Sequence, residues 1–591
     1  MIVEVPDIGD FTDVPIVEVL VKVGDTVAVE DPLVVIESDK ASFEVPAPEA
    51  GTVAELLVEV GALVSMGTPI ARVEGAAAEG AAPGDDAAPS DSAVPSETAA
   101  PSEAAAPTNP APVPPPEAPA EAAVPAAEVA DDRIDLVVVG AGPGGYAAAF
   151  RAADLGLDVV LVERHSRLGG VCLNVGCIPS KALLHVAKVI ADAEESALAG
   201  VVYGEPQIDL DGVRAFKDGA VEKLTGGLVG LAKGRNVRVV HGDAQFTGPN
   251  ALRVGEEELE FAHCIVAAGS EPIVLPDLPD DPRIVDSTGA LELTDVPERL
   301  LVVGGGIIGL EMATVYDALG SAVTVVELAD QLIPGCDPDL VKPLHKRIEK
   351  RYAAIHLNTK VEGIEAQDDG LHVSFASEEH VFDRVLIAVG RTPNGAKLGL
   401  DAAGVAVDER GFVGVDDQLR TNVPHILAIG DVCRGPMLAH KATHEGHLAA
   451  EVVAGHDAAW DVRAMPSVAY TDPEIAWAGL TELEAKADEV AYEKAVFPWA
   501  ASGRALSTGR PDGSTKVLFD PGTRRVLGGG IVGAGAGELI AELAFAVEMA
   551  ADVEDIAMTV HPHPTLSETV GLASEAGAGT ITDLPKRRVR S

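Results

Sequence analysis

The sequence predicts a multidomain chain: a small all-β sandwich, then an α/β body with two Rossmann-like nucleotide-binding domains, then an α+β domain. Three observations carry this. Short β-type runs in the first 74 residues echo one another across an internal repeat. A stretch of Ala, Pro, Ser and acidic residues follows, without an aromatic or basic side chain. Beyond it, a strand, Gly-rich turn, helix, strand pattern occurs twice.

In the sandwich (1–74), VEVLVKVGDTVAVEDPLVVIE is answered by VAELLVEVGALVSMGTPIARVE, each half carrying two turn signals, as a pseudo-symmetric fold requires. Between the halves ESDKASFEVPAP presents Lys40 at a hairpin tip between Asp39 and Ala41. A lysine there is ordinarily just solvated. The segment 75–131 cannot bury enough apolar surface to offset its chain entropy, so it reads as an extended acidic linker spanning at most about 180 Å.

In IDLVVVGAGPGGYAAAFRAADLGLDVVLVE, Gly140, Gly142 and Gly145 follow an apolar strand and open a helix, and Glu163 closes the next strand. Such a turn lets a pyrophosphate approach a helix N-terminus while the carboxylate accepts from a ribose hydroxyl. The second copy has Gly304, Gly306 and Gly309 and ends in Glu327, which favours a free 2′-hydroxyl and hence NAD over NADP. The expected boundaries are 132–275 for the first unit, 276–398 for the second, 399–463 for a segment returning to the first, and 464–591 for the α+β domain.

Charge and cysteine usage narrow the function classes. With 93 acidic against 43 basic side chains and a net charge of -50, nucleic acid and anionic membranes are disfavoured partners. Met1 to Asp13 lacks the basic start and apolar run of a secretory signal, and no uninterrupted apolar stretch approaches a membrane span, so a cytoplasmic location without membrane insertion is expected. The basic tail KRRVRS reads as a solvated end or as a docking segment for an acidic partner. Of five cysteines only Cys172 and Cys177 lie close, just before an amphipathic helix whose dipole would stabilise a thiolate. Two buried core residues are the plain alternative. No metal site is expected, because further ligands at recurring spacing are missing nearby.

GGVCLNVGCIPSK resembles the redox-active motif of the flavoprotein disulfide reductases, and the resemblance extends from about Ile134 into the C-terminal region. AIGDV and MLAHKATHEG resemble the segments in which Asp431 binds the flavin ribityl chain and Ala439 lies near the flavin ring. CIVAAGS and VLIAVGRTPN resemble the strands that return to each nucleotide, and HPHPTLSE resembles the family's acid/base signature.

The resemblance implies a Cys172–Cys177 disulfide, with Cys172 as the exchange thiol, Cys177 against the flavin, and His563 as acid/base oriented by Glu568. It further implies FAD held by Gly140, Gly142, Gly145, Glu163, Gly170, Lys181, Ala244, Asp431 and Ala439, and NAD held by Gly304, Gly306, Gly309, Glu311, Glu327, Val361 and Gly390. By the same match the last domain dimerises and His563 serves the partner's site. No second cysteine pair lies near the C-terminus, and Glu327 opposes NADPH use, which leaves oxidation of dihydrolipoyl groups as the implied reaction. The hairpin around Lys40 resembles a lipoyl attachment site, so lipoate on Lys40 and a lipoyl-bearing acyltransferase core of a 2-oxoacid dehydrogenase complex are the implied group and partner. Reduction of another disulfide with NADH, or a carrier and assembly subunit, are the competing functions.

Overall fold

A computed structural model describes residues 2–5, 14–27, 32–37, 42–47, 51–58, 61–65, 68–75 and 133–585. Lys40, the linker expected over 75–131 (save Gly75) and the tail from Lys586 lie outside the described residues. The chain divides into two compact units, 1–104 and 105–591.

The first unit is a pair of four-stranded antiparallel sheets. One runs Ile2–Glu4, Pro69–Gly75, Gly51–Leu56, Thr26–Val27; the other runs Ser42–Pro46, Pro32–Glu37, Val14–Val19, Leu63–Val64. Strands alternate in and out because one face of each sheet is buried, so Val3, Ile16, Leu33, Val53, Val64 and Ile70 form a shared core. Pro32–Glu37 and Ser42–Pro46 pair antiparallel with Glu37 opposite Ser42. Those two strands flank the segment that contains Lys40.

In the second unit a parallel sheet is ordered Arg238–His241, Val159–Glu163, Ile134–Val139, Glu257–Val266 and Ile426–Ala428, and the last strand comes from the returning segment. Its central runs are apolar on both faces because both are covered: Val138 and Leu161 pack on the helices, and Val137 and Val160 on the antiparallel strands Ala244–Gly248 and Ala251–Val254. Helices Pro143–Asp154 and Ala439–Val453 cross on one face through glycines. A Cβ on Gly446 would stand 2.4 Å from the carbonyl oxygen of Gly144.

The second parallel sheet is ordered Ile284–Val285, Arg384–Ile387, Arg299–Val303, Ala322–Val326, Ala354–His356, beside a three-stranded antiparallel meander from Val361 to Phe382. The last domain is a five-stranded antiparallel sheet carrying helices Ala536–Glu548 and Glu568–Ala578. Lys516, 1% exposed, ties it to the second sheet's domain, donating to Asp337 (2.7 Å), Asp339 (2.7 Å) and Glu482 (3.1 Å). These three carboxylates lie close enough to hold a metal ion, and the ammonium takes that place.

One expectation needs correcting. The run Gly170–Ala199 is long and apolar enough to cross a membrane, with mean hydropathy 1.3. It is divided at Gly176 into helices Gly170–Val175 and Cys177–Glu195, and the second helix buries Leu183, Leu184 and Ala187 in the core of this fold.

Candidate active site

The two Gly-rich turns are built alike. Gly140 (φ +101°) and Gly304 (φ +109°) occupy the left-handed region, and a Cβ there would press to 2.3 Å on the carbonyl oxygen of Ala267 and to 2.4 Å on that of Ala388. Gly145 and Gly309 let each following helix lie directly on its own turn: their added Cβ atoms would fall 1.7 and 2.1 Å from the carbonyl oxygens of Gly140 and Gly304. Gly142 and Gly306 are the N-caps of helices Pro143–Asp154 and Ile307–Ala318, and no side chain caps either. The first-turn amides are therefore left for an anion, as a dinucleotide pyrophosphate requires.

Glu163 and Glu327 both sit at the expected strand ends, buried. Each bonds backbone: Glu163 accepts from Ala141 N–H (2.8 Å) and His165 N–H (2.9 Å), and Glu327 from Gly305 N–H (2.6 Å) and Ala329 N–H (2.7 Å). Each carboxylate oxygen keeps a lone pair for a ligand hydroxyl. Ala244 and Val361 occupy matching places, two residues after amides (Gly242 and Thr359) that donate to the Glu163 and Glu327 carbonyls at 2.9 Å. Gly390 (φ +131°) follows the Ala388 turn beside Gly304. These features fit FAD at the first turn and NAD at the second.

The cysteine pair departs from the expected placement in one respect. Cys172 is not ahead of a helix but inside the short helix Gly170–Val175, and Cys177 is the first residue of helix Cys177–Glu195. Gly176, at φ -146° and ψ -114°, makes the break between them. Gly170 (φ +55°) brings the short helix onto the first Gly-rich turn, since its added Cβ would stand 2.6 Å from the Cα of Gly142.

Both cysteines are present as thiols and half-buried. Cys177 is lowered to about 7, first by the hydrogen bond from Cys172 and then by the Lys181 ammonium, against burial and Glu311. Cys172 is raised, first by that same hydrogen bond and then by burial. The thiolate is therefore favoured at Cys177 over Cys172.

Lys181 Nζ lies 3.0 and 2.9 Å from the two carboxylate oxygens of Glu311, so an ion pair joins helices of the two nucleotide-binding domains. Tyr470 of the last domain joins them, with its ring centroid 4.5 Å from Nζ and its N–H donating to Glu311 Oε1 at 3.1 Å.

Asp431 stands at the turn Gly430–Val432, and Ala439 opens helix Ala439–Val453, whose N-terminus also lacks a side-chain cap. Sequence reasoning missed the supports around Asp431. Ser270 Oγ donates to Asp431 Oδ2 at 2.5 Å and accepts from Arg391 Nε at 2.7 Å. Glu445 accepts the Gly430 N–H at 2.7 Å and pairs with Lys441 at 2.7 Å, both nearly fully buried. The i,i+4 spacing of Lys441 and Glu445 was the available signal.

His563 Nδ1 lies 2.8 Å from Glu568 Oε1, and Glu568 Oε2 accepts the Thr565 N–H at 2.6 Å. Burial pushes the Glu568 carboxyl up, but Thr565 and His563 together hold it below the ordinary carboxylate range. The imidazole side chain is 79% exposed. None of the hydrogen bonds or ion pairs among the described residues joins it to Cys172 or Cys177 of its own chain.

The family described as pyridine nucleotide-disulphide oxidoreductase matches residues 134–446, its dimerisation domain matches 465–574, and the family described as biotin-requiring enzyme, a biotin/lipoyl domain, matches 2–73. A dihydrolipoyl dehydrogenase from Vibrio cholerae is 57% identical over 468 residues, 78% of this chain and 98% of that protein. One from Haloferax volcanii is 46% identical over 462 residues, 75% and 96%. Among solved structures, the HOCl-induced flavoprotein disulfide reductase RclA from Escherichia coli aligns with TM-score 0.67 at 28% identity, covering 74% of this chain and 98% of that one. LpdA from Mycobacterium tuberculosis aligns with TM-score 0.69 at 25% identity, covering 75% and 99%. Paired nucleotide turns, a polarised cysteine pair and a carboxylate-held histidine thus occur on a matching fold, and the chain belongs to the pyridine nucleotide-disulfide oxidoreductases, with a lipoyl-type domain ahead of its FAD- and NAD-dependent body.

Proposed function

We propose that this protein oxidises dihydrolipoyl groups to the cyclic disulfide with NAD⁺ as final acceptor, in the cytoplasm, as a component of a 2-oxoacid dehydrogenase complex. The observation that carries the reading is the placement of the cysteine pair: Cys172 in the short helix and Cys177 at the start of the next, across the Gly176 break, with Lys181 one turn on and held by Glu311.

Chemically, the Cys172–Cys177 disulfide accepts the electrons. One substrate thiolate attacks Cys172, releasing Cys177 as thiolate, and the second substrate thiolate closes the lipoyl disulfide and releases Cys172. Two electrons leave the substrate, and its two protons need a base. His563, held in one orientation by Glu568, takes that role in the partner's site of a homodimer. FAD would supply an electron acceptor for the reduced cysteine pair, and NAD⁺ would be the final acceptor. The residues assigned to hold the two nucleotides are those of the paired turns, together with Asp431, Ala439, Lys181 and Glu311.

A lipoyl-type domain on the same chain supports the substrate class. Lipoate on Lys40 would be delivered by a tether, at an effective concentration of about millimolar where the linker spans the distance. Intact mass shows whether Lys40 carries lipoate. A Lys40→Arg chain tests delivery in a reconstituted 2-oxoacid dehydrogenase assay: slowed NADH formation there, with unchanged rates on free dihydrolipoamide, supports it. Equal rates in the reconstituted assay end the delivery role. Failure of the wild-type chain to reduce NAD⁺ with dihydrolipoamide ends the functional reading.

A further inference from the structure

Three domains converge on the Lys181 ammonium, and the least obvious contributor lies 289 positions away from it in the chain. We propose that the Tyr470 ring is the positioning residue that fixes Lys181 beside Cys177, closing one flank of the cation while Glu311 closes the other. The proposal rests on the flavoprotein disulfide reading and adds a residue to it.

A lysine ammonium is a compact, strongly hydrated charge on a flexible stem, so burial of its partner alone does not hold it. Glu311 is 5% exposed, but the Lys181 side chain is 35% exposed and borders a cavity of about 240 Å³ that Tyr470, Thr314 and Tyr352 also line. The Tyr470 ring, 4.5 Å from Nζ, offers its negative face where water would otherwise solvate the ammonium. The same residue's N–H donates to Glu311 Oε1. Main chain thus holds the carboxylate while side chain holds the cation. Substituting the ring leaves the first contact and removes only the second.

The groups facing Cys177 are Cys172 on the short helix, Lys181 on its own helix and Glu311 on helix Ile307–Ala318. Tyr146, Arg391 and Tyr470 also feel its charge. Lys181 is the ammonium nearest in effect, so a loosened Lys181 weakens the field that favours the thiolate.

The test compares Tyr470→Phe and Tyr470→Leu with wild type in the full-length holoenzyme, reduced by dithiol. The pH profile of Cys177 alkylation by iodoacetamide is read by peptide mass, and bound flavin by its visible absorbance. The expected result is an upward shift of about half a pH unit or more in the Leu variant, with the Phe variant on the wild-type profile, because the ring and not the hydroxyl faces the ammonium. An unmoved Leu profile, or a Phe profile that moves as far, overturns the proposal. If Tyr470→Leu does not yield folded protein, Tyr470→Met fills the space without a π face and is judged by the same outcomes. Absence of flavin from wild type would instead sink the flavoprotein reading.

Discussion

His563 Nδ1 and Glu568 Oε1 meet at 2.8 Å on the last domain, yet the imidazole of that pair is 79% exposed. An oriented base that no hydrogen bond or ion pair among the described residues joins to the cysteine pair of its own chain supports the proposal of a site completed by a second copy. Chains carrying Cys172→Ser and chains carrying His563→Ala should each be nearly inactive alone. Refolded together in equal amounts, half the dimers are mixed and each holds one intact site, so activity should return to about a quarter of wild type. Steady-state NADH formation after mixing checks this, and no recovery would place the complete site within one chain.

Glu568→Gln keeps the shape but loses the charge that orients the imidazole. The rate with dihydrolipoamide should fall by about 10²-fold or more, whereas flavin absorbance stays unchanged. Stopped-flow reduction by dihydrolipoamide is the measurement. Since the folded chain holds this carboxyl below its ordinary range, its stabilising contribution is complete above that range and is lost as pH falls through the lowered value.

In the reduced enzyme Cys177 should alkylate with a midpoint near its lowered value of about 7, and Cys172 with a higher one. The sign for stability follows: an ordinary cysteine ionises near 9, so the Cys177 term is full above that pH and declines as pH drops through about 7. Peptide mapping after timed iodoacetamide pulses separates the two sulfurs. A Cys172 midpoint below that of Cys177 would reverse the proposed polarisation.

Gly446 has no room for a methyl group. Its added Cβ would lie 2.4 Å from the Gly144 carbonyl and 3.1 Å from the Ala148 nitrogen, both backbone atoms. Gly446→Ala should cost about 1–3 kcal/mol and loosen flavin, seen as a lower melting temperature and reduced flavin content.

Glu327→Ala removes the acceptor of the Gly305 and Ala329 N–H groups and the group expected to meet the ribose. KM for NAD⁺ should rise about tenfold or more, and the preference over NADP⁺ should narrow. Initial rates with both nucleotides decide it.

Much of this was legible in sequence because local chemistry wrote it there. Gly140, Gly145, Gly304 and Gly309 are forced by turns that leave no space for a side chain, and Glu163 and Glu327 close strands at a fixed distance beyond them. The separate helix around Cys172 was not legible, because nothing in the spacing of two cysteines says that Gly176 interrupts the backbone. Nor were Tyr470 against Lys181, Ser270 against Asp431, or Lys516 among its three carboxylates. Those contacts join segments far apart in sequence, where periodicity carries no signal and only packing of whole domains decides the neighbour.

The duplicated carboxylate clamp has a consequence for recognition. Glu163 and Glu327 are held by equivalent amides above equivalent glycines, so each turn reads the half of its ligand that both ligands share. An adenosine diphosphate fragment should therefore compete at both turns with similar strength. What sends a flavin to one and a nicotinamide to the other must be written at the far ends, and Asp431 and the Lys181–Glu311 pair are the residues proposed for it.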